Sequence, residues 1–191
     1  MGKGRLEAFS DGVIAVIITI MVLELHAPRG GDLSAILPLG HSIISYVLSF
    51  IFLGIYWNNH HHLMQAAQKV NGPILWANLH LLFWLSLVPF VTAWMGENGF
   101  ASLPVALYGV VMLFAGTAYY ILERLLIAYH GKKSTLATVL GDDFKGKISL
   151  AFYLAAIPFA FVISWISFGL YILVAVMWLI PDRRIERAFE K

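Results

Sequence analysis

Few side chains in this sequence could do chemistry, and the densest group of them is the run from His60 to His62. Metal ligands on a helix need i, i+3 or i+4 spacing to share a face, whereas consecutive residues point about 100° apart. The run therefore predicts no metal site. We expect it either to bond to backbone or water at a helix end, or to anchor another helix. His80 lies inside an apolar run, where its ring needs a hydrogen-bond partner, which we expect on another helix.

The composition disfavours both catalysis and nucleic-acid binding. The 191 residues include no cysteine, which excludes disulfides, thiolate metal sites and cysteine nucleophiles. No catalytic motif is recognisable among the other nucleophiles, acids and bases. A net charge of +2, without aromatic residues interleaved among the basic ones, does not indicate nucleic-acid binding. We predict that the chain is not an enzyme and has neither a cofactor nor a resident metal.

Arg5, Ser10 and Asp11 form a second polar group, just before the first long apolar run. Ser10 and Asp11 are residue types that cap a helix N-terminus, where the helix dipole favours a carboxylate. Alternatively, Asp11 pairs with Arg5 or with a neighbouring subunit, because a charge inside a membrane is costly without a partner. The residue types fit both interpretations.

The apolar run that follows has a helical pattern. Val16, Ile20 and Leu23 recur at i, i+4 and i+7, so they share one face, with Thr19 at its edge. Beside this face is a strip of small residues that would let another helix approach closely. The strip consists of Gly12, Ala15 and Thr19. Ordinary packing explains most such faces, but several copies around an axis would form apolar rings that control conduction by excluding water.

The elements that must position these residues are membrane helices. With 60% hydrophobic and 13% charged residues, the chain has more apolar surface than a soluble domain of its size can bury. Long uncharged runs between turn clusters predict an all-α fold, a single polytopic transmembrane domain over residues 1–191 with six spans. The predicted spans are 9–26, 38–62, 73–96, 102–129, 147–164 and 166–181. No signal-peptide cleavage is expected, because Ser10 and Asp11 interrupt the start of the first apolar run.

The apolar stretch 148–180 is divided in two because a single helix of that length would be about 50 Å long, against a hydrocarbon core of roughly 30 Å. We place its turn at residues 164–169 and expect Pro158 to kink the preceding helix. Six spans with a cytoplasmic N-terminus put most lysines and arginines on the cytoplasmic side, which is the usual bias. These are Lys3, Arg5, Lys69, Lys132, Lys133, Lys145, Lys147, Arg183, Arg184, Arg187 and Lys191. Both termini are therefore predicted to be cytoplasmic, and only Arg29 falls clearly on the other side.

Three stretches of the sequence resemble the prokaryotic relatives of the lysosomal potassium channel, the transmembrane protein 175 family. They are Arg5 with Phe9-Ser10-Asp11-Gly12-Val13 leading into residues 18–25, Tyr56-Trp57-Asn58-Asn59-His60-His61, and Asn78 with Pro89-Phe90. They are similar to the family's first-helix signature, its tryptophan and double-histidine motif, and its third helix. The resemblance covers the first half of the chain well, and the second half only by span count and charge.

The resemblance implies a homotetrameric cation channel of six-helix subunits in the inner membrane of a prokaryotic cell, with potassium ions, the lipid bilayer and copies of itself as partners. It places the hydrophobic constriction at Val16, Ile20 and Leu23, and the hydroxyl linked to cation preference at Thr19. It also implies a polar network between helices or subunits, formed by Arg5, Phe9, Ser10, Asp11, His60 and His61. Val16 stands where isoleucine or leucine is usual in the family, so a slightly wider ring is expected. His62 replaces the arginine that often follows the paired histidines.

Two other functions stay open. A secondary transporter usually shows inverted repeats, and no repeat is visible here, so a symmetric pore would need several copies of the chain. A proton-conducting or pH-sensitive channel of the same fold is suggested by Asp11 and the histidines. No Thr-Val-Gly-Tyr-Gly segment occurs, so a carbonyl-lined filter is not encoded and selectivity should be modest.

Overall fold

The computed structural model describes residues 2–131 and 143–179, and every regular element within these ranges is helical. The α-helices are α1 (Lys3–Leu23), α2 (Gly40–Ala66), α3 (Gly72–Ser86), α4 (Val88–Glu97), α5 (Ser102–His130), α6 (Phe144–Phe159) and α7 (Ser164–Leu179). Two short 3₁₀ helices, Leu33–Ala35 and Leu37–Leu39, lead into α2. The predicted all-α fold is confirmed.

Several predicted features lie outside the described residues. They are the cytoplasmic positions of Lys132, Lys133, Arg183, Arg184, Arg187 and Lys191, and the last two residues of the sixth span, 180–181. Within the described ranges, four segments are long and apolar enough to cross a membrane. They are Lys3–Leu23, Leu33–Ala66, Gly72–Glu97 and Ser102–His130. The apolar helix α7 is shorter, with 16 residues.

The first helix begins earlier than the predicted span. α1 starts at Lys3, so Ser10 and Asp11 lie about two turns inside it, and their interpretation as N-terminal caps is wrong. The residues before them are mostly good helix formers, which lets the helix extend towards the N-terminus. Instead of capping, the Ser10 hydroxyl donates to the carbonyl of Leu6 one turn back, at 2.9 Å. Both polar side chains are therefore available for contacts along the middle of the helix.

The predicted third span is a broken helix rather than a continuous one. α3 ends at Ser86, α4 begins at Val88, and Leu87 joins them with a helical backbone. Pro89 causes the break, because proline has no N–H to donate to the carbonyl of Leu85 and its ring crowds the preceding turn. The two pieces together still form a predominantly apolar segment of 26 residues, which is long enough to cross a membrane.

The last apolar stretch forms two helices, as predicted, but the turn comes earlier than residues 164–169. α6 ends at Phe159, directly after Pro158, and α7 begins at Ser164. The predicted fifth span, 147–164, is therefore displaced towards the N-terminus, and α7, which corresponds to the sixth span, begins two residues before the predicted start at residue 166. Pro158 weakens the last turn of α6 because it donates no hydrogen bond. The Ser167 hydroxyl of α7 then donates to the carbonyl of Ala156 at 2.6 Å and fixes the hairpin.

α5 is the central element of the bundle. It packs against α3, α4, α6 and α7, while α1 packs against α2, α3 and α4. α5 and α7 come close together at Gly109, where an added Cβ would collide with the hydroxyl of Tyr171. This hydroxyl donates to the carbonyl of Val105 at 2.9 Å. α1, by contrast, lies at the edge of the bundle and contacts α2, α3 and α4 on one of its sides.

Candidate functional site

The two long faces of α1 have different surroundings. One face carries Leu6, Ser10, Ile14, Ile17 and Met21, all of them buried against the chain's own helices. Their spacing of three or four residues follows the helical repeat, so they form one stripe. This stripe packs against α2, α3 and α4.

The other face of α1 is apolar and uncovered. Val16 is 55% exposed, Ile20 39% and Leu23 77%, so the three residues predicted for the constriction lie together on this surface. Thr19 is exposed beside them, and its hydroxyl donates to the carbonyl of Val16 at 2.8 Å. Gly12 and Ala15 are also exposed, and a Cβ on Gly12 would have nothing within 4 Å. We call the set Val16, Ile20 and Leu23 the apolar face of α1, and Gly12, Ala15 and Thr19 the small-residue strip.

A buried chain of hydrogen bonds holds the opposite face in place. The His60 Nε2 atom lies 2.7 Å from the Asn78 Oδ1, and the Asn78 amide donates to the Ser10 hydroxyl at 2.9 Å. Because an amide oxygen can only accept, the Nε2 atom of His60 carries the proton. The Ser10 hydroxyl accepts this bond and donates its own hydrogen to the carbonyl of Leu6. All three polar side chains are fully buried, so α1, α2 and α3 are joined by bonds that water does not weaken.

Two further contacts join α1 to α2 nearer the surface. The Trp57 indole donates to the Asp11 carboxylate at 3.1 Å. The His61 Nδ1 atom lies 3.5 Å from the Glu7 carboxylate, and the His61 ring stacks against that of Trp57. The histidine run therefore anchors the first helix, and the pairing of Asp11 with Arg5 is not formed within the chain.

The structure brings together only part of the predicted polar network. Ser10, Asp11, His60 and His61 all contribute to the contacts between α1, α2 and α3. Arg5 is exposed, and among the described residues no hydrogen bond or ion pair involves its side chain. Phe9 is also exposed, on the same side of α1 as Val16. Neither residue therefore takes part in the polar contacts that the structure shows within the chain.

The site prediction did not include three residues that the structure adds, Glu7, Trp57 and Asn78. Asn78 was visible as part of the resemblance, and its place inside an apolar run marked it as a polar group in need of partners. Trp57 was also part of the resemblance. It precedes His60 by three residues, which is about one helical turn. Glu7 gave no signal of its own, since it lies among other polar residues at the start of the helix.

His80 does not bond to another helix as expected. Its Nε2 atom accepts from the indole of Trp84 at 2.9 Å, one turn further along α3. Spacing of i to i+4 places the two rings next to each other, so the polar ring finds a local partner. Among the described residues, no group of three His, Cys, Asp or Glu side chains could hold a metal ion.

A groove of about 1030 Å³ runs along the uncovered side of α1, between α1 and α4. Its α1 wall includes Phe9, Val16 and Ile20, and its α4 wall includes Phe90 and Ala93. Glu24 and Glu97 lie at the end of the groove where both helices finish. There the His26 Nδ1 atom lies 3.6 Å from the Glu97 carboxylate, so the segment after α1 is in contact with α4.

Comparison with known proteins identifies the family. The family model described as the endosomal/lysosomal potassium channel TMEM175 matches residues 5–89. A protein from Chryseobacterium sp. (strain P1-3) that is named a potassium channel is 52% identical over 191 residues, which is 100% of each chain.

Two further comparisons extend this similarity to a solved structure and to a vertebrate protein. The crystal structure of a lysosomal potassium-selective channel TMEM175 homolog from Chamaesiphon minutus matches with a TM-score of 0.79 and 26% identity, covering 93% of this chain and 96% of that one. The endosomal/lysosomal proton channel TMEM175 of Danio rerio is 24% identical over 93% of this chain, but over 36% of its own length. The resemblance read from the residues is therefore confirmed, and this chain belongs to the TMEM175 family.

Proposed function

We propose that this chain is a potassium channel, a homotetramer in which four α1 helices surround the conduction path. The relative from Chryseobacterium, which matches over its full length, is named a potassium channel, and the matching crystal structure is described as potassium-selective. Residues 1–191 then act as a single transmembrane domain whose partners are potassium ions, the bilayer and its own copies.

The observation that carries the proposal is the uncovered apolar face of α1. An apolar face that the chain itself leaves uncovered contacts either lipid or another copy of the chain. Here the buried side holds the hydrogen-bonded polar residue Ser10, whereas Val16, Ile20 and Leu23 stay 39 to 77% exposed in the subunit. Copies of this face around an axis give a path that no single subunit can form.

The proposed constriction consists of three rings, one from each of Val16, Ile20 and Leu23. The rings cover seven residues, which is about 10 Å along the axis at 1.5 Å per residue. Apolar rings of this kind raise the barrier for a hydrated ion, because they offer no polar group to replace its water. Valine at the first position has a shorter side chain than isoleucine or leucine and leaves the first ring wider.

Thr19 lies between the first two rings and supplies the hydroxyl nearest to them. Its hydrogen is directed to the carbonyl of Val16, so the lone pairs of its oxygen are left for a passing cation. An oxygen at this depth favours a cation that gives up water readily. Thr19 is thus the residue that we assign to cation preference.

The buried hydrogen bonds keep the apolar face directed at the axis. Rotation of α1 by one residue would turn Ser10 away from Asn78, and a buried polar group without a partner costs about 1 to 3 kcal/mol. Asp11 with Trp57 and Glu7 with His61 add contacts on the side of α2. Arg5 and Phe9 are assigned to the contacts between subunits.

The orientation that we propose has both termini in the cytoplasm of a cell with this protein in its plasma membrane. The start of α1 lies at the end of α2, where the Lys3 ammonium is 3.4 Å from the carbonyl of Gln65. The backbone of Lys69 bonds to His130 at the end of α5, so Lys69 and the end of α5 also meet there. Lys3 and Lys69 thus lie at the same end of the bundle, and such a gathering of basic residues is typical of the cytoplasmic side.

Proton conduction is the alternative, because the vertebrate relatives are named proton channels. The proposed path argues for potassium, since residues 12–23 contain no titratable side chain that could relay a proton across the rings. A secondary transporter is disfavoured because it usually has inverted repeats around a midplane substrate site, whereas the sequence shows no repeat and the proposed path offers only the hydroxyl of Thr19.

Shortening the ring residues tests the proposal. Leu23→Ala and Ile20→Ala should each raise potassium flux into liposomes severalfold, because a wider ring holds water more easily. Leu154 of α6 provides a matched control, since it is 62% exposed on a helix that packs mainly against α5 and α7. Leu154→Ala should leave the flux unchanged. Equal fluxes in all four proteins, including the wild type, would count against the placement of the rings.

A further inference from the structure

His130, the last residue of α5, holds the segment between α2 and α3 in place. We call this segment, residues 67–71, the α2–α3 connection. The backbone N–H groups of Gln68 and Lys69 both donate to the Nε2 atom of His130, at 3.0 and 3.2 Å. One ring nitrogen on α5 thus accepts two backbone hydrogen bonds from the connection.

The hydrogen bonds of the His130 ring fix its protonation state. The Nδ1 atom lies 2.9 Å from the carbonyl oxygen of Leu126, which can only accept, so Nδ1 carries a proton. The Nε2 atom accepts from two N–H groups, so it carries none. The observed arrangement is therefore compatible only with the neutral ring. A second proton would place an N–H group on Nε2, directed at two other N–H groups.

A charged ring can stay on α5, but it cannot hold the connection. The bond from Nδ1 to the carbonyl of Leu126 is the same in both forms of the ring. His130 is at the C-terminal end of α5, where the helix dipole favours a positive charge. Within residues 2–131 and 143–179, no carboxylate forms an ion pair with the ring that would compensate for the two lost bonds.

The charged side chains around this end of the bundle come from four elements. They are Lys3 of α1, Lys69 of the α2–α3 connection, Glu123 and Arg124 of α5, and Asp143, Lys145 and Lys147 of α6. Positive groups outnumber carboxylates in this set, and one of them is on the connection itself. A positive ring therefore repels the connection in addition to losing its hydrogen bonds.

The α2–α3 connection is linked to the first helix through both helices that it joins. α2 and α3 carry His60 and Asn78, whose hydrogen bonds hold Ser10 of α1. The Lys3 ammonium at the start of α1 donates to the carbonyl of Gln65 in the last turn of α2. Release of the connection therefore loosens the ends of the two helices that hold α1 in position.

From this geometry we propose that uptake of a proton by His130 from the cytoplasm releases the α2–α3 connection and lowers the potassium current. The connection is closed when the ring is neutral and open when the ring is charged. Acidification from about pH 8 to about pH 5, the range in which histidine ordinarily changes its charge, therefore favours the open form. The effect on the current rests on the proposed channel function, because it arises when the apolar face of α1 turns away from the axis.

Hydrogen exchange of the full chain in lipid nanodiscs tests the release without any need for conduction. The readout is the protection of the backbone amides of Gln68 and Lys69, measured as their exchange rate relative to an unstructured peptide at the same pH. In the wild type this protection should fall severalfold between about pH 8 and about pH 5. The amides of Leu81 and Leu82, buried residues of α3, should keep theirs. Unchanged protection of the connection would overturn the proposal.

Two variants separate His130 from the other histidines. His130→Gln keeps an acceptor oxygen for the connection and a donor for the carbonyl of Leu126, but its side chain does not titrate. The connection should therefore stay protected at both pH values. His130→Ala removes the acceptor and should lose the protection at both. If His130→Gln responds to pH as the wild type does, another group is responsible and the proposal is wrong.

Potassium flux from liposomes tests the effect on the current. Wild-type flux should fall severalfold when the pH is lowered on the side of the termini, and flux through His130→Gln should stay constant. If exchange shows the release but the flux of the wild type does not respond, the effect on the current is refuted. If the wild type conducts no potassium at either pH, the channel proposal fails, and the exchange result still decides whether His130 releases the connection.

Discussion

The two faces of α1 have similar apolar side chains but opposite environments. Ile14 and Ile17 are buried against the chain's own helices, whereas Val16, Ile20 and Leu23 are uncovered. The polar side chains that hold the helix, Ser10 among them, are on the buried side. The difference indicates that one face is used for folding the subunit, and it leaves the other face for the assembly that we propose.

The largest expected effect is on stability, from the buried face. Ile14, which is 1% exposed, should lose about 2 to 4 kcal/mol of unfolding free energy in Ile14→Ala, because a cavity forms where neighbours cannot close in. Leu23→Ala should change the same quantity by less than about 0.5 kcal/mol. Denaturation of both variants in detergent measures the contrast. Equal losses of unfolding free energy in the two variants would show that the two faces do not differ in their contribution to folding.

The next effect concerns the polar anchor of the buried face. Asn78→Leu removes the partner of both His60 and Ser10, and about 1 to 3 kcal/mol of stability should be lost. Asn58→Leu is a suitable control, because Asn58 is exposed on α2. If the two leucine variants denature alike, the buried hydrogen bonds do not hold α1.

A smaller effect is expected at the contact between Asp11 and Trp57. Trp57→Phe keeps an aromatic ring but removes the indole donor, so about 0.5 kcal/mol should be lost at this partly exposed site. Asp11→Asn keeps an acceptor oxygen and should lose less. Thermal denaturation of the two variants side by side decides the order, and the opposite order would indicate that the charge of Asp11 matters more than its hydrogen bond.

The smallest effect on stability is expected at Thr19, where we expect a change in ion preference instead. Thr19→Val has nearly the same shape and should leave the denaturation curve unchanged. The preference for potassium over sodium should fall, because the hydroxyl oxygen beside the rings is lost. Reversal potentials in mixed salts measure this preference. An unchanged preference for potassium over sodium would contradict the role that we assign to the Thr19 hydroxyl.

The helices were predictable because a segment that crosses the bilayer must be long and apolar enough to do so. Length and hydropathy located most helix ends to within four residues, and the exceptions are the start of α1 and the ends that proline decides. The break at Leu87 and the early turn after Phe159 both depend on prolines, Pro89 and Pro158, whose local effect depends on the packing around them. The start of α1 was missed for another reason, because residue types alone do not separate a polar first part of a helix from a cap at Ser10.

The site was predictable only in part. The helical period of 3.6 residues predicted that Val16, Ile20 and Leu23 share one face. It could not predict that this face is the uncovered one, because both sides of α1 are apolar. The bond between Ser10 and Asn78 joins residues 68 positions apart, and such a contact is set by how α1 and α3 pack. The resemblance supplied what periodicity could not, by marking Asn78 and the histidine motif together.

The central claim is that the uncovered face of α1 surrounds the path of the ions. Planar-bilayer recording of Leu23→Cys with cadmium tests it most directly, because a ring of thiolates binds a soft metal ion and the chain has no other cysteine. We predict unitary potassium currents that cadmium blocks in Leu23→Cys but not in Val22→Cys, whose side chain leaves the helix about 100° away. Persistence of the Leu23→Cys currents at saturating cadmium, or equal block of both variants, would contradict the account.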